Sequence, residues 1–301
     1  MNLRQLDYLL AVARTGSFTA AAAELGVAQP TLTKSIRGLE QELGTVLFER
    51  LPRGVELTPA GAVLMRHAER VALQVKDAGE EVAALSGGES GSVTIGAGPA
   101  WLRRHLPQAV ARLVTRHPAV RVHVVGGFDD MLFKALRSGE VDFVVAELPS
   151  PEMTRDLSID PLSADSLGAC CRAGHPLAGQ KGLPLRRLLD FAWVMPPHRT
   201  RAQRRLNALF VSHDLPPPTI VCETESMAFL LQMLSHSDAL TFTVSTTLMA
   251  PEAAGLRMLD VPALAARREA GVIMRKGGWL NPAAREVIAE LRAICVADPM
   301  N

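Results

Sequence analysis

The sequence predicts a three-part chain: an N-terminal winged helix-turn-helix, a long linker helix, and a C-terminal two-lobed α/β domain. Three observations carry this. Ser17 to Lys34, SFTAAAAELGVAQPTLTK, reads as a helix, a tight turn and a second helix opening on small polar side chains. The stretch 60–85 has no proline and reads as a single helix about 25 residues long. After a glycine-rich break at 87–91, short apolar runs alternate with helical periodicity, the pattern of a parallel sheet covered by helices. The expected boundaries are 1–58 for the winged helix-turn-helix, 59–86 for the linker helix, 87–91 for the hinge and 92–301 for the α/β domain. Lobe I takes 92–163 and 266–301, and lobe II takes 164–265, with chain crossings near 162–165 and 265.

Each element has a local reason. Leu3, Leu6, Leu9, Leu10 and Val12 recur at helical spacing, and Gly16 ends that run. Ser17 is a helix N-cap, and the alanines after it allow close packing. Gly26 supplies the turn, where a positive φ costs a glycine little. Gln29-Pro30 opens the next helix, because a first-turn proline gives up an amide proton that needs no partner there. Leu32, Ile36, Leu39 and Leu43 form its apolar face. Phe48-Glu49-Arg50 and Val55-Glu56-Leu57 make a hairpin with Arg50 and Arg53 near its tip. Thr58-Pro59 caps the linker helix, whose stripe Val63, Leu64, His67, Val71, Val75, Ala78 and Val82 calls for a symmetric partner. Beyond the hinge, strands are expected at 92–95, 121–125, 141–146, 166–171, 192–195, 219–223, 240–244, 257–259 and 270–274. Helices are expected at 102–117, 129–139, 185–189, 200–213, 226–235 and 282–294.

Composition excludes several classes. The 32 Lys and Arg balance 31 Asp and Glu, so any nucleic-acid surface has to be local. None of the four cysteines, Cys170, Cys171, Cys222 and Cys295, makes a C-x-x-C pair, which fits reduced thiols rather than a metal site or a disulfide framework. There is no apolar run of membrane-spanning length and no secretory leader pattern, so the expected location is the cytoplasm. Neither G-x-S-x-G nor H-E-x-x-H occurs, and the eight histidines lack carboxylates at ligand spacing. The expectation is no enzyme, no metal and no cofactor.

Two constellations remain. The start of the second helix offers Gln29, Thr31 and Thr33 for base edges, with Lys34 and Arg37 for phosphates and Arg53 for a minor groove. A helix N-terminus set in the major groove is the geometry such side chains serve. In the α/β region, Gly96 to Trp101 lies between a strand and a helix, like a dinucleotide loop. Trp101 stands where the third glycine would be, and no ribose-binding acid ends the next strand. Anion contacts from Ala100 and Trp101 remain open to it. Arg199, Thr200 and Ser226 sit on loops that face it and Phe128 across a cleft.

Over its whole length the chain resembles the LysR-type transcriptional regulators. FTAAAAELGVAQPTLTKSIRGLEQELGTVLFER, the wing RLPRGVELT and the following PAG carry the resemblance, with LRSGEVDFVV, GHPLA and NPAAREVIAEL beyond them. It implies an effector domain like the type 2 periplasmic binding proteins and a homotetramer, a dimer of dimers, on double-stranded promoter DNA. A small-molecule inducer between the lobes, an aromatic or sugar-derived catabolic intermediate, would switch activation or repression, with RNA polymerase as a further contact. Base reading falls on Gln29, Pro30, Thr31 and Thr33, with Lys34, Arg37 and Arg53 beside them. The effector site falls on Pro99, Ala100, Trp101, Phe128, Glu147, Arg199, Thr200, Thr224 and Ser226. At Pro99 the hydroxyl that many relatives use for a ligand carboxylate is absent, and Arg199 is its expected replacement. The alternatives are a constitutive DNA binder and a cysteine-based redox sensor.

Overall fold

A computed structural model describes residues 1–52, 54–85, 91–198 and 200–297, with the Arg50 side chain left aside. Arg53, Arg199, most of the expected hinge and the last four residues lie outside the described residues. The chain divides into two compact units, Met1–Gly87 and Gly88–Asn301.

In the first unit, α1 (Leu3–Thr15), α2 (Phe18–Glu24) and α3 (Gln29–Leu43) enclose one core. Leu9, Val12, Ala21, Leu32, Ile36, Leu39 and Leu47 are at most 1 % exposed. Local chemistry sets each helix end. Ser17 Oγ accepts from the Ala20 amide at 3.3 Å, and Gly26 takes φ +63° to turn the chain. Leu43 departs from expectation. It is 42 % exposed, because the helix ends there at Gly44 before Leu43 reaches the core. The wing pairs β1 (Phe48–Leu51) with β2 (Gly54–Leu57) in antiparallel register. Thr58 Oγ1 then caps α4 (Pro59–Leu85) by accepting from the Gly61 amide at 3.0 Å. Gly61 is obligatory there, since a Cβ would lie 2.1 Å from the Leu47 carbonyl oxygen. Most of the apolar stripe on α4 faces outward: Val63, Val71, Val75 and Val82 are exposed, Val75 by 52 %.

The second unit begins with the parallel strands β3 (Ser92–Ala97), β4 (Arg121–Gly126) and β5 (Phe143–Glu147), in the order β5-β3-β4. The helix expected at 102–117 starts earlier and is broken into α5 (Pro99–Arg103) and α6 (His105–Arg116). Pro107 explains the break: it cannot donate to the Arg103 carbonyl and its ring excludes a continuous turn, so a new helix starts with Pro107 in its first turn. With α7 (Asp129–Ser138) these helices cover the sheet of lobe I.

The sheet is mixed rather than wholly parallel. The strand expected at 166–171 is the second half of one long strand, β6 (Leu157–Arg172), which runs through both lobes. Further on lie β7 (Trp193–Met195), α8 (Arg201–Val211), β8 (Ile220–Glu223), α9 (Met227–Ser235), β9 (Thr241–Val244) and β10 (Leu256–Met258). The chain returns along β11 (Ala266–Arg275), antiparallel to both β6 and β5, and closes with α10 (Pro282–Ala297). β9 and β10 pair with the far half of β6. Thus β6 and β11 cross between the lobes side by side and hold the two cores in one framework. A crossover helix makes strands parallel, whereas a strand that returns directly beside β6 has to be antiparallel.

Candidate functional site

On the first unit, α3 presents a polar face. Gln29, Pro30, Thr33, Lys34, Arg37, Gly38 and Gln41 line a shallow groove along it. Positions 29, 33, 37 and 41 follow the four-residue spacing of one helix face. Gln29 Nε2 donates to Thr33 Oγ1 at 3.0 Å. This steadies the Gln29 amide and still leaves it a second N–H and its oxygen, the pair that an adenine edge accepts and offers. Thr31 is exposed at the helix start but does not line the groove.

Within the second unit a cavity lies where the lobes meet. Its volume is about 80 Å³. It adjoins a wider cleft of about 870 Å³, and Pro99, Arg103, Phe128, Thr200 and Met227 line both. Of the residues expected at an effector site, Pro99, Ala100, Trp101, Phe128, Glu147 and Thr200 line the cavity. Thr224 and Ser226 do not. Ser226 caps α9 instead, its Oγ accepting from the Phe229 amide at 3.2 Å, and Thr224 Oγ1 accepts from the Ser226 amide at 3.0 Å in the turn before it. Their chain neighbours Glu225 and Met227 line the cleft in their place. α5 has only five residues, so the anion contacts expected from the Ala100 and Trp101 amides have little helix dipole behind them.

Glu147, buried at the end of β5, is the electrostatic centre. Arg205 Nη2 donates to Glu147 Oε1 at 2.7 Å, Arg201 Nη2 lies 3.3 Å from the same oxygen, and Arg268 Nη1 donates to Oε2 at 3.2 Å. Burial alone would raise the Glu147 pKa, but Arg201, Arg268 and Arg205 together hold it below the usual carboxylate value. Asp129 beside it behaves oppositely. Burial first, and then the neighbouring Glu147 charge, push its pKa up to about 6, against the pull of Arg201 and Arg268. Asp130, from the same turn, pairs with Arg204 at 3.1 Å. The N-terminal turn of α8 in lobe II is therefore latched to lobe I through three arginines. At the crossing, Asp165 accepts from Ser245 Oγ at 2.8 Å and Thr246 Oγ1 at 2.6 Å, and Arg268 Nη2 lies 3.9 Å away.

Arg103 stands apart from this latch. Its Nη2 makes a long contact of 3.4 Å to Thr247 Oγ1 across the cleft, and its Nη1 is buried without a partner. Burial lowers its pKa from the ordinary arginine value, with Glu252 acting in the opposite sense. Neither Arg103 nor Arg268 stands out in the sequence. A signal did exist for Arg103, since Pro107 marks the helix break that sets Arg103 at the end of α5.

The two adjacent thiols do not act as a redox pair. Cys170 and Cys171 point to opposite faces of β6 into different cores. Burial pushes the Cys170 thiol up to about 12 and that of Cys171 up to about 11, away from the reactive thiolate. Among the described residues no helix is long and apolar enough to cross a membrane.

Comparison with known proteins places the chain. Residues 3–62 match the bacterial regulatory helix-turn-helix protein model of the lysR family, and residues 86–295 match the LysR substrate binding domain. The HTH-type transcriptional regulator GbpR of Azospirillum brasilense is 31 % identical over 296 residues, covering 97 % of this chain and 86 % of that protein. The structure of a full-length OxyR variant from Pseudomonas aeruginosa shares the fold at 22 % identity with a TM-score of 0.65, covering 97 % of this chain and 95 % of that one. Full-length CbnR complexed with its target DNA does so at 22 % identity with a TM-score of 0.59, covering 97 % and 99 %. Members of this family are transcriptional regulators rather than enzymes, and they bind DNA and small-molecule effectors. With a family-type helix-turn-helix, wing and linker helix ahead of a two-lobed domain that closes around a cavity, the chain belongs to the LysR family of transcriptional regulators.

Proposed function

We propose that this regulator reads a specific promoter sequence through the α3 face and is switched by a small molecule held in the interlobe cleft. The observation that carries the reading is the cavity itself, which takes lining from both lobes and from the crossing strand β11. A ligand there changes the protein only by binding one arrangement of the lobes more tightly than another. Gln29, Pro30, Thr31 and Thr33 are assigned to bases, Lys34 and Arg37 to phosphates and Arg53 to the wing contact. Pro99, Ala100, Trp101, Phe128 and Thr200 are assigned to the effector, and Glu147 to the latch that the effector acts on.

The outward apolar stripe on α4 supports pairing with a second copy, and two such pairs give the dimer of dimers. The effector is taken to be an aromatic or sugar-derived catabolic intermediate. The output, activation or repression, runs through promoter geometry and contact with RNA polymerase. The test is to select binding sites from random duplex DNA with the full chain and footprint the best site with and without a panel of small catabolic acids and sugars. A compact site whose footprint shifts with one compound is the expected result. A footprint that no compound moves would favour a constitutive DNA binder.

A further inference from the structure

Among the residues that line the interlobe cavity, four carry a buried polar atom without a hydrogen-bond partner: Trp101 Nε1, Arg103 Nη1, Thr200 Oγ1 and Arg268 Nε. Three of these atoms can only donate, and the fourth is a hydroxyl that donates as readily as it accepts. No carbonyl or carboxylate oxygen of a lining side chain is left in the same state among the described residues. Trp101 is 1 % exposed and Thr200 6 %. Buried donors without acceptors are costly, so a site that keeps three of them, with a hydroxyl that can also donate, is matched to a guest that brings acceptors.

The charges agree. Arg201, Arg205 and Arg268 are engaged by Glu147, with Asp129 close to Arg201. Among the described residues Arg103 has no carboxylate within ion-pair distance and reaches only the Thr247 hydroxyl. Glu252 acts on it through space, from the rim of the wider cleft. Arg103 lies on α5 in lobe I, while Thr200 precedes α8 in lobe II, so one group held by both bridges the lobes. From there the wider cleft runs past Leu102, Phe128, Met131, Met227 and Leu231. Asp130, Lys134, Glu225 and Glu252 line the same cleft, so it is this apolar side of it that suits an apolar body.

The geometry points to a small organic anion, with a carboxylate or phosphate head between Arg103 and Thr200 and an apolar or aromatic body toward Phe128 and Met227. The inference rests on the cleft being the effector site and gives that site its chemical class. Arg103 thereby takes the anchoring part that the sequence assigned to Arg199.

The test is titration calorimetry on the full chain with benzoate, cinnamate, hexanoate and phenyl phosphate, set against benzamide and galactose as neutral probes. At least one anion should bind, and at least about tenfold more tightly than benzamide. Arg103→Met should erase that preference and Arg103→Lys should keep part of it, with circular dichroism confirming that both variants fold. Thr200→Val should weaken the same anion. Whichever of the carboxylates or phenyl phosphate binds better identifies the head group. Equal binding of anion and amide, no binding by any of the four anions, or an unchanged anion affinity in Arg103→Met would each overturn the inference. If galactose or benzamide alone binds and shifts the footprint, the anion inference falls and the effector reading stands. A footprint indifferent to every bound probe removes the effector reading itself.

Discussion

The two helix starts to which the proposal assigns DNA reading and switching are built in opposite ways. α3 opens with Gln29, Pro30, Thr31 and Thr33 on an exposed face, where the side-chain bond made is the local pair of Gln29 with Thr33. α8 opens with Arg201, Arg204 and Arg205, and all three reach acids of the other lobe. The first face is left open for a partner outside the chain, whereas the second has its partners inside the chain and is held by them. An output surface needs donors and acceptors in excess. A switch needs an internal contact that something else can displace or reinforce.

The largest effect should come from cutting the latch. Glu147→Gln leaves Arg201, Arg205 and Arg268 facing a neutral amide in a buried site, and removing one member of a buried ionic cluster costs about 3 kcal/mol or more. A urea melt of the variant should show that loss. An unchanged midpoint would mean that the three arginines are satisfied by water and that the two helix starts differ less than their contacts indicate.

Next comes Asp129, which belongs to the same cluster but is strained by it. Its pKa stands at about 6 in the folded chain, against about 4 for an unfolded aspartate. Between those values the unfolded chain gives up its proton while the folded chain keeps it. The stability tied to this group is therefore complete below pH 4 and is lost as pH rises through 6. A shift of this size amounts to about 3 kcal/mol. Asp129→Asn should flatten stability against pH across that window and make the variant the more stable protein at neutral pH. A profile with its slope intact would place the titration on another group.

How far each helix start was legible in the sequence follows from the same contrast. The capping Ser17, the turn at Gly26, Pro30 and the spacing of Leu32, Ile36 and Leu39 all act within a few residues, so they announce α3 without help from the rest of the chain. Glu147, Arg205 and Arg268 meet only because β11 returns between β5 and β6, and nothing local marks Arg268 as Glu147's partner. Ser226 was assigned to the effector site from its place on a loop before a helix, and the family resemblance added Thr224 beside it. That position suits a cap equally well, and here the cap is made. One part of the cleft was readable in principle, since a proline in the second turn of an expected helix is a reason to split it, and the split at Arg104 ends α5 on Arg103.

On the open face the effect is moderate. Gln29→Ala removes an exposed side chain and leaves the core of α3 untouched, so the melt should not move. Discrimination between the selected DNA site and single-base variants should fall by about 1–3 kcal/mol at one base pair. Lys34→Ala should weaken all duplexes alike and reduce the salt dependence of binding by about one phosphate contact. If both variants lose affinity uniformly, the Gln29 face positions the helix and reads no base.

At the start of α8 the effect on stability expected at Thr200 is also small, and its smallness is informative. The Thr200 hydroxyl is buried and unpartnered, and Thr200 gives α8 no side-chain cap bond. A cap residue that made its bond would cost about 1 kcal/mol to remove. Thr200→Val keeps the shape and deletes a polar atom that gains nothing in the folded chain, so the melt should stay within about 0.5 kcal/mol of the parent or rise slightly. Ser226→Ala is the matched control, because that hydroxyl does cap its helix and its loss should be felt. If Thr200→Val destabilises as much as Ser226→Ala, Thr200 is a cap like Ser226, and the distinction between a contact kept for a guest and a contact spent on the fold disappears at α8.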